Sequence, residues 1–172
     1  MRIEIEIPPK DMLLADLCEV PIAHKGVAWS GRCLGKLEKA NGVYVIQHDG
    51  RIMYVGKTNS PGMSFGTRLR REFSEGASAG RHIYPALAPL IVPPPIFVTC
   101  ISSASIMKMV RCHDLSLGSY EAVEIMEAVL IQAFKPRLQP HQEKVTRRAL
   151  RKNRISEATL EKMMEVGFPR DR

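Results

Sequence analysis

The sequence predicts an α/β domain of the α+β type, in which a small sheet of three strands is flanked by helices. Two β-rich runs joined by an Asp-Gly turn predict a β-hairpin over residues 42–55. Residues 96–101 are β-branched and apolar, which predicts a third strand. Residues 120–134 form the clearest helix of the chain, because their apolar side chains recur at helical spacing.

The hairpin is predicted by residue alternation and by its turn. Residues 42–46 place Val side chains on one face and Tyr and Ile side chains on the other. Residues 48–51 read His-Asp-Gly-Arg and turn the chain, and residues 52–55 return it. The two strands should therefore pair antiparallel.

Helical segments follow the hairpin. Thr67 is the predicted N-cap of a helix whose Leu69 and Phe73 face inward. Three arginines crowd the first turn of this helix, namely Arg68, Arg70 and Arg71. Residues 77–95 are rich in proline and are predicted to be mostly loop. In the long helix the predicted apolar stripe consists of positions 122, 126, 129, 130 and 133.

Both ends of the chain are predicted to be appendages of a core that spans residues 42–139. Residues 1–41 are interpreted as an N-terminal arm with a short helix. Within this arm, residues 3–7 alternate Ile and Glu, as in a half-buried strand, and Asp11 can begin the helix. Residues 140–172 are interpreted as a basic helical extension.

The positive charge is concentrated in this extension. The 172-residue chain has a net charge of +7, so we expect an anionic partner, either nucleic acid or an acidic membrane surface. Residues 135–172 contain eleven Lys and Arg against five Asp and Glu, a net charge of +6. Helical spacing places one basic set on a single face: Lys144, Arg147, Arg148, Arg151 and Arg154. This face suits phosphate contacts, and a solvated or disordered tail is the alternative. A last amphipathic helix is predicted over residues 156–167.

Cysteine usage and hydropathy predict a soluble, cytoplasmic protein with no membrane partner. The four cysteines lack C-x-x-C spacing, so we interpret them as reduced and structural. The longest apolar run is too short to cross a bilayer, and no secretory signal pattern opens the sequence.

Short motifs in a fixed order carry a resemblance to a known family. Gly42-Val43-Tyr44 and Tyr54-Val55-Gly56 flank the turn, and Lys57 follows directly. An arginine helix at Arg68 and a glutamate at Glu127 come next. This constellation resembles the core of GIY-YIG nucleases over residues 42–139. The resemblance implies a three-stranded antiparallel sheet flanked by helices, and a metal-dependent site that hydrolyses DNA phosphodiesters.

Glu127 is favoured as the metal ligand by its place on the long helix. Of the three glutamates there, Glu121 falls on the solvent side, whereas Glu127 lies at the edge of the apolar stripe. A hard cation such as Mg²⁺ needs only one or two carboxylates. The family's metal-binding glutamate begins a Glu-x-x-Leu-Ile run, which residues 127–131 match, and Lys135-Pro136-Arg137 matches the family's following Lys-Pro-Arg. The resemblance thus implies Mg²⁺ or Mn²⁺ at Glu127. An ordinary glutamate at a helix boundary is the alternative.

The remaining roles are implied by the resemblance. Tyr44 would be the general base, and Tyr54 would orient water or phosphate. Lys57 and Arg68 would clamp the phosphate, because both are cations and guanidinium offers a planar fork of donors. We expect Lys57 or the metal to lower the phenolic pKa enough for proton abstraction. Both tyrosines can also be ordinary strand aromatics, and Arg70 and Arg71 are either DNA contacts or a solvated face.

Two positions depart from the family pattern. Glu72 stands four residues after Arg68, where the family often has His or Tyr, and an acid there cannot copy an imidazole base. His82, ten residues later, is a candidate substitute. Gln139 stands twelve residues after Glu127, where the family tends to have Asn, and it keeps the amide on a longer side chain.

The sequence as a whole predicts a metal-dependent DNA endonuclease. The absence of a separate large DNA-binding domain favours, by analogy, a small restriction-type enzyme acting as a homodimer on a palindromic site. A structure-specific nuclease of DNA repair or recombination is one alternative. A DNA-binding protein whose nuclease site has decayed is another, and Glu72 and Gln139 motivate it.

Overall fold

A computed structural model describes residues 18–19, 32–48, 50–72, 96–111, 117–139 and 142–153, together with positions 156 and 158. Its elements in chain order are strand β1 (Cys18–Glu19), a 3-10 helix (Arg32–Lys39), strands β2 (Gly42–His48) and β3 (Arg51–Thr58), helix α1 (Phe65–Glu72), strand β4 (Ile96–Ser102), and helices α2 (Ser103–Arg111), α3 (Ser119–Phe134) and α4 (Gln142–Lys152).

The sheet is antiparallel, with the strand order β1-β4-β2-β3. Its three long strands, β4, β2 and β3, confirm the predicted fold class, and β1 adds a two-residue pairing beside β4. The predicted hairpin turn is confirmed, because His48 pairs with Arg51 across it. Strand β3 continues to Thr58, three residues beyond the predicted end, so Lys57 lies within an outer strand.

Helices cover the two faces of the sheet. Val43 and Val45 of β2 and Val55 of β3 belong to one apolar cluster with Ile106 of α2 and several residues of α3. The alternate side chains of β2 face the other way, as the period of a strand requires. Among them Tyr44 is fully buried and contacts α1. Helix α1 also packs against the 3-10 helix.

Helix α3 is the centre of the domain. Residues 122–131 are all buried, because the sheet, α2 and α4 pack around the helix. The predicted stripe is confirmed at 122, 126, 129 and 130, but burial extends around the whole helix rather than along one face. The helix ends at Lys135, which has a left-handed φ of 45° and donates its N–H to the Ile131 carbonyl at 2.9 Å.

The start of α1 differs from its prediction. The helix begins at Phe65, and the Ser64 hydroxyl accepts the Thr67 N–H at 3.3 Å. Ser64 therefore occupies the capping position, and the assignment of Thr67 as N-cap is wrong, because two further residues precede it in the helix. Leu69 is fully buried, as predicted.

Several predictions lie outside the described residues. They concern the strand over 3–7, the helix that begins at Asp11, the loop over 77–95, and the helix over 156–167 beyond its two described positions. The side chains of Phe73, His82 and Arg154 lie outside them as well. Among the helices that the structure describes, none is long and apolar enough to cross a bilayer.

Candidate active site

Two glycines of the hairpin lie where a side chain would collide with neighbouring atoms. Gly42 has φ 148°, and a Cβ there would lie 2.0 Å from the Ile101 carbonyl oxygen of the neighbouring strand. Gly56 pairs with Tyr44 across the hairpin. A Cβ at Gly56 would lie 2.4 Å from the Tyr44 hydroxyl and 2.8 Å from the Tyr54 ring. Only glycine therefore leaves room for the two phenols to lie over the backbone of β3.

Tyr44, Arg68 and Glu72 form a hydrogen-bonded cluster on this face of the sheet. The Tyr44 hydroxyl donates to Glu72 Oε1 at 2.8 Å, and Arg68 Nε donates to the Tyr44 hydroxyl at 3.2 Å. Arg68 Nη2 lies 2.6 Å from the same Glu72 oxygen. The ion pair spans one helical turn of α1, which the i, i+4 spacing of the two residues permits. The spacing of four residues between Arg68 and Glu72 in the sequence already allows this pair.

Exposure differs sharply among these side chains. Tyr44 has no exposed surface and Glu72 has 1%, whereas the Arg68 side chain is 33% exposed. Tyr54 is half-buried, with its ring centroid 6.1 Å from that of Tyr44. Arg68 and Tyr54 are therefore the members of this group that reach solvent.

The pKa values of both phenols are raised. Burial, with the charges of Tyr54 and Glu72, raises the Tyr44 pKa well above 10, and Arg68 opposes this change without overcoming it. Burial and the charge of Glu72 raise the pKa of Tyr54 to about 12. The expectation that Lys57 lowers the phenolic pKa is thus wrong, because desolvation of the phenolate outweighs the neighbouring cation, Arg68. The effect expected of a metal stays a prediction.

A second group of charges lies where α3 crosses β3. Lys57 Nζ donates to Glu127 Oε2 at 2.6 Å and lies 3.6 Å from Glu124. The Glu127 side chain is 10% exposed, and that of Lys57 is 26% exposed. Burial raises the pKa of Glu127, and the charges of Lys57 and Arg68 oppose the rise. The expected position of Glu127 at a buried margin is therefore confirmed, and its present partner is a lysine.

Glu124 is a member of this group that the sequence did not single out. Lys152 Nζ donates to both oxygens of Glu124 at 3.0 Å, and Asn153 Nδ2 donates to one of them at 3.2 Å. Burial raises the Glu124 pKa, but the bonds from Lys152 and Asn153 outweigh it, so the pKa lies below its ordinary value. Lys152 also lies 4.4 Å from the centroid of the Tyr120 ring. These contacts fix α4 to α3.

The two groups meet around strand β3. Side chains alternate along a strand, so Val55 and Lys57 lie on the face toward α3, and Tyr54 lies on the face toward α1. Strand β3 is the outermost described strand on this side of the sheet. The two groups therefore lie on opposite faces of a single edge strand. They interact electrostatically: the Glu127 charge adds to the effects of burial and Glu72 on the Tyr54 pKa. All five predicted catalytic side chains, Tyr44, Tyr54, Lys57, Arg68 and Glu127, thus surround this strand.

Gln139 and the predicted DNA contacts lie outside the group of five predicted catalytic side chains. Gln139 accepts the Val55 N–H through Oε1 at 3.0 Å, and the Leu138 N–H donates to the Met53 carbonyl at 2.8 Å. The Gln139 amide therefore anchors the segment after α3 to the outer strand. Predicted DNA contacts are exposed on α1 (Arg70, Arg71) and on α4 (Lys144, Arg147, Arg148, Arg151).

Helix α3 carries carboxylates, the type of donor that a hard cation binds, and both already accept bonds from lysines. Within the described residues there is no group of three or more His, Cys, Asp or Glu that could hold a metal. Glu127 and Glu124 nevertheless place carboxylate oxygens within one turn of helix, and Mg²⁺ is bound through one or two carboxylates while it keeps several waters.

Comparisons of the chain with protein-family models, with curated proteins and with solved structures find no match. The geometry and the sequence motifs are therefore the basis for a functional assignment.

Proposed function

We propose that the protein is a metal-dependent DNA endonuclease with a site of the GIY-YIG type. The observation that carries the proposal is the gathering of a buried carboxylate, a guanidinium and two phenols around strand β3. These groups are supplied by Glu127, Arg68, Tyr44 and Tyr54, from separate elements of the fold. Phosphodiester hydrolysis needs charge neutralisation at the phosphate and an oriented water, which groups of these types can supply.

Each group has a chemical task in that reaction. Arg68 has five N–H donors, of which the bonds to Tyr44 and Glu72 use two, so a remaining N–H would donate to the substrate phosphate. Glu127 would hold Mg²⁺ or Mn²⁺, which supplies charge neutralisation at the phosphate when bound. Lys57 would then leave Glu127 and pair with a phosphate oxygen, while it stays near the Glu124 carboxylate. A phenol would orient the attacking water, whose oxygen bonds to phosphorus as the bond from phosphorus to the 3′ oxygen breaks. The proton that the water gives up passes to solvent, and the departing 3′ oxygen takes up a proton from solvent.

The charge distribution supports a polyanionic substrate such as DNA. Helix α4 presents exposed lysine and arginine side chains, and it is anchored to α3, the helix that carries Glu127, through Lys152 and Glu124. Contacts of such a face to the phosphate backbone give affinity without sequence choice, and the affinity falls with salt. A restriction-type enzyme acting as a homodimer is our preferred biological role, by analogy only.

Plasmid nicking tests the proposal. Wild-type protein with Mg²⁺ is expected to convert supercoiled plasmid to the nicked form, and Glu127→Ala is expected to lower the rate by about 10³-fold. Glu121→Ala, on the first turn of the same helix, is the matched control and should nick at the wild-type rate. Equal residual activity in wild type and Glu127→Ala would refute hydrolysis at this site, and DNA binding would be the only function left to propose.

A decayed, DNA-binding protein is the second candidate, and one observation favours it. The Lys57 ammonium lies 2.6 Å from Glu127, where the cation would bind. If the site has lost hydrolysis, the chain should bind duplex DNA with the same affinity with and without Mg²⁺ and should cleave plain duplex, flap and junction substrates no faster than buffer. Cleavage of the branched substrates alone would instead favour a repair role.

A further inference from the structure

Glu72 has the smallest exposed fraction of any charged side chain in the described part of the chain, at 1%. One of its oxygens, Oε1, contacts both the Tyr44 hydroxyl and Arg68 Nη2. The other, Oε2, has no hydrogen-bond partner among the described residues. A buried carboxylate is costly unless it is paired, so Glu72 depends on these two neighbours and holds them in return.

Tyr44 is enclosed within the same cluster. Its hydroxyl donates to Glu72 and accepts from Arg68, so both hydrogen-bonding roles of the oxygen are in use. The side chain has no exposed surface, and burial raises its pKa well above the ordinary value. A group in this state neither meets solvent nor ionises near neutral pH. Its position suits the support of Arg68 rather than contact with a water molecule.

We propose that Glu72 is a positioning residue that, together with Tyr44, fixes the Arg68 guanidinium at the scissile phosphate, and that Tyr54 is the phenol that meets the substrate. This inference rests on the proposed nuclease function and reverses the roles that the resemblance implied for the tyrosines. Arg68 and Tyr54 are the partly exposed members of the cluster. The acid four residues after Arg68 does not replace an imidazole base; it anchors the arginine.

Tyr54 acts in its protonated form. Burial raises its pKa to about 12, so the phenol keeps its proton at neutral pH. It can therefore donate a hydrogen bond to a phosphate oxygen and accept one from the attacking water. Tyr54→Phe should lower kcat by about 10²-fold without changing the urea midpoint, because the ring stays in place and the lost hydroxyl faces the partly exposed Arg68.

Rescue by free guanidinium ion tests the role of Glu72. In Arg68→Ala, Mg²⁺-dependent cleavage should fall by about 10²–10³-fold, and guanidinium ion below unfolding concentrations should restore part of the rate. In Arg68→Ala/Glu72→Gln the rescue should be weaker by about tenfold, because a neutral amide no longer binds the cation. Glutamine preserves the volume and one acceptor oxygen, so the variant is expected to fold. Arg51→Ala, at an exposed position beside the hairpin turn, is the control that should show neither loss nor rescue.

The outcomes separate this inference from the nuclease assignment. Equal rescue in Arg68→Ala and in Arg68→Ala/Glu72→Gln would show that no carboxylate is required, and would overturn the positioning role. A greater loss of kcat in Tyr44→Phe than in Tyr54→Phe, at an unchanged urea midpoint, would overturn the roles of the tyrosines. In both cases wild-type cleavage would remain. If the wild-type chain cleaves no DNA with Mg²⁺ or Mn²⁺, the nuclease function itself is refuted, and the assignment of Glu72 falls with it.

Discussion

Substitution of Gly56 by alanine tests the geometry on which the site depends. The added Cβ would lie 2.4 Å from both Cζ and the hydroxyl oxygen of Tyr44. Ordinary carbon contacts begin near roughly 3.5 Å, so the phenol must move by roughly 1 Å. Tyr44 has no exposed surface, so it cannot turn outward into solvent without displacing its neighbours. A displacement of this size lengthens its 2.8 Å hydrogen bond to Glu72 beyond the normal range.

The expected loss of stability has two parts. Overpacking of a buried site costs about 1–3 kcal/mol, and a buried acceptor that loses its donor costs about 1–3 kcal/mol. Gly56→Ala should therefore lower the free energy of unfolding by about 2–6 kcal/mol, a large share of the total for a domain of this size. Displacement of the cluster that holds Arg68 should also lower the nicking rate by about 10²-fold.

Urea unfolding and plasmid nicking measure the two effects. Gly50→Ala is the matched control, because Gly50 also lies in the hairpin and has a positive φ of 65°, but no atom lies within 4 Å of the place where its Cβ would be. This control should lose only about 1–2 kcal/mol from backbone strain and should keep its nicking activity. The reasoning is refuted if Gly56→Ala is no less stable than Gly50→Ala and nicks DNA equally fast.

Three further results are expected. Lys152→Ala should lower the urea midpoint near neutral pH, and the difference from wild type should shrink as the pH falls below 4.5, because the folded-state pKa of Glu124 is depressed and its protonation removes the pair; a difference that stays constant as the pH falls until Glu124 is protonated would contradict the assignment. Lys144→Ala should weaken duplex binding, measured by fluorescence anisotropy, and reduce the slope of log affinity against log salt by about 1, whereas an unchanged slope would remove Lys144 from the interface. Burial raises the pKa of Cys100 to about 12, so its alkylation in native protein at about pH 8, followed by mass spectrometry, should be about 10³-fold slower than in urea; comparable rates would show that the thiol is accessible.

Local patterns explain which parts of the fold could be predicted. The hairpin depends on strand alternation and an Asp-Gly turn, both of which act between neighbouring residues. Helix α2 was not predicted, because it begins at Ser103 directly after β4, with no loop to mark the change of period. Its start is marked only by the Ser102 hydroxyl, which accepts the Ser105 N–H at 3.1 Å.

The candidate site was predictable where one motif supplied the residue, and less so where distant elements meet. Periodicity placed Glu127 at a buried margin, because burial of a helix follows its apolar face. The pairing of Glu124 with Lys152 joins residues 28 positions apart, and no local pattern encodes it. The Arg68 to Glu72 pair was visible as an i, i+4 spacing, but its connection to Tyr44 depends on how α1 packs against the sheet.

The measurement that tests the central claim most directly is the single-turnover rate of Mg²⁺-dependent cleavage of duplex DNA by Glu127→Gln. This substitution preserves the side-chain shape and removes only the charge that would bind the cation. We expect the rate to fall by about 10³-fold relative to wild type, with duplex affinity in Ca²⁺ changed by less than about threefold. A Glu127→Gln protein that cleaves as fast as wild type would contradict the account.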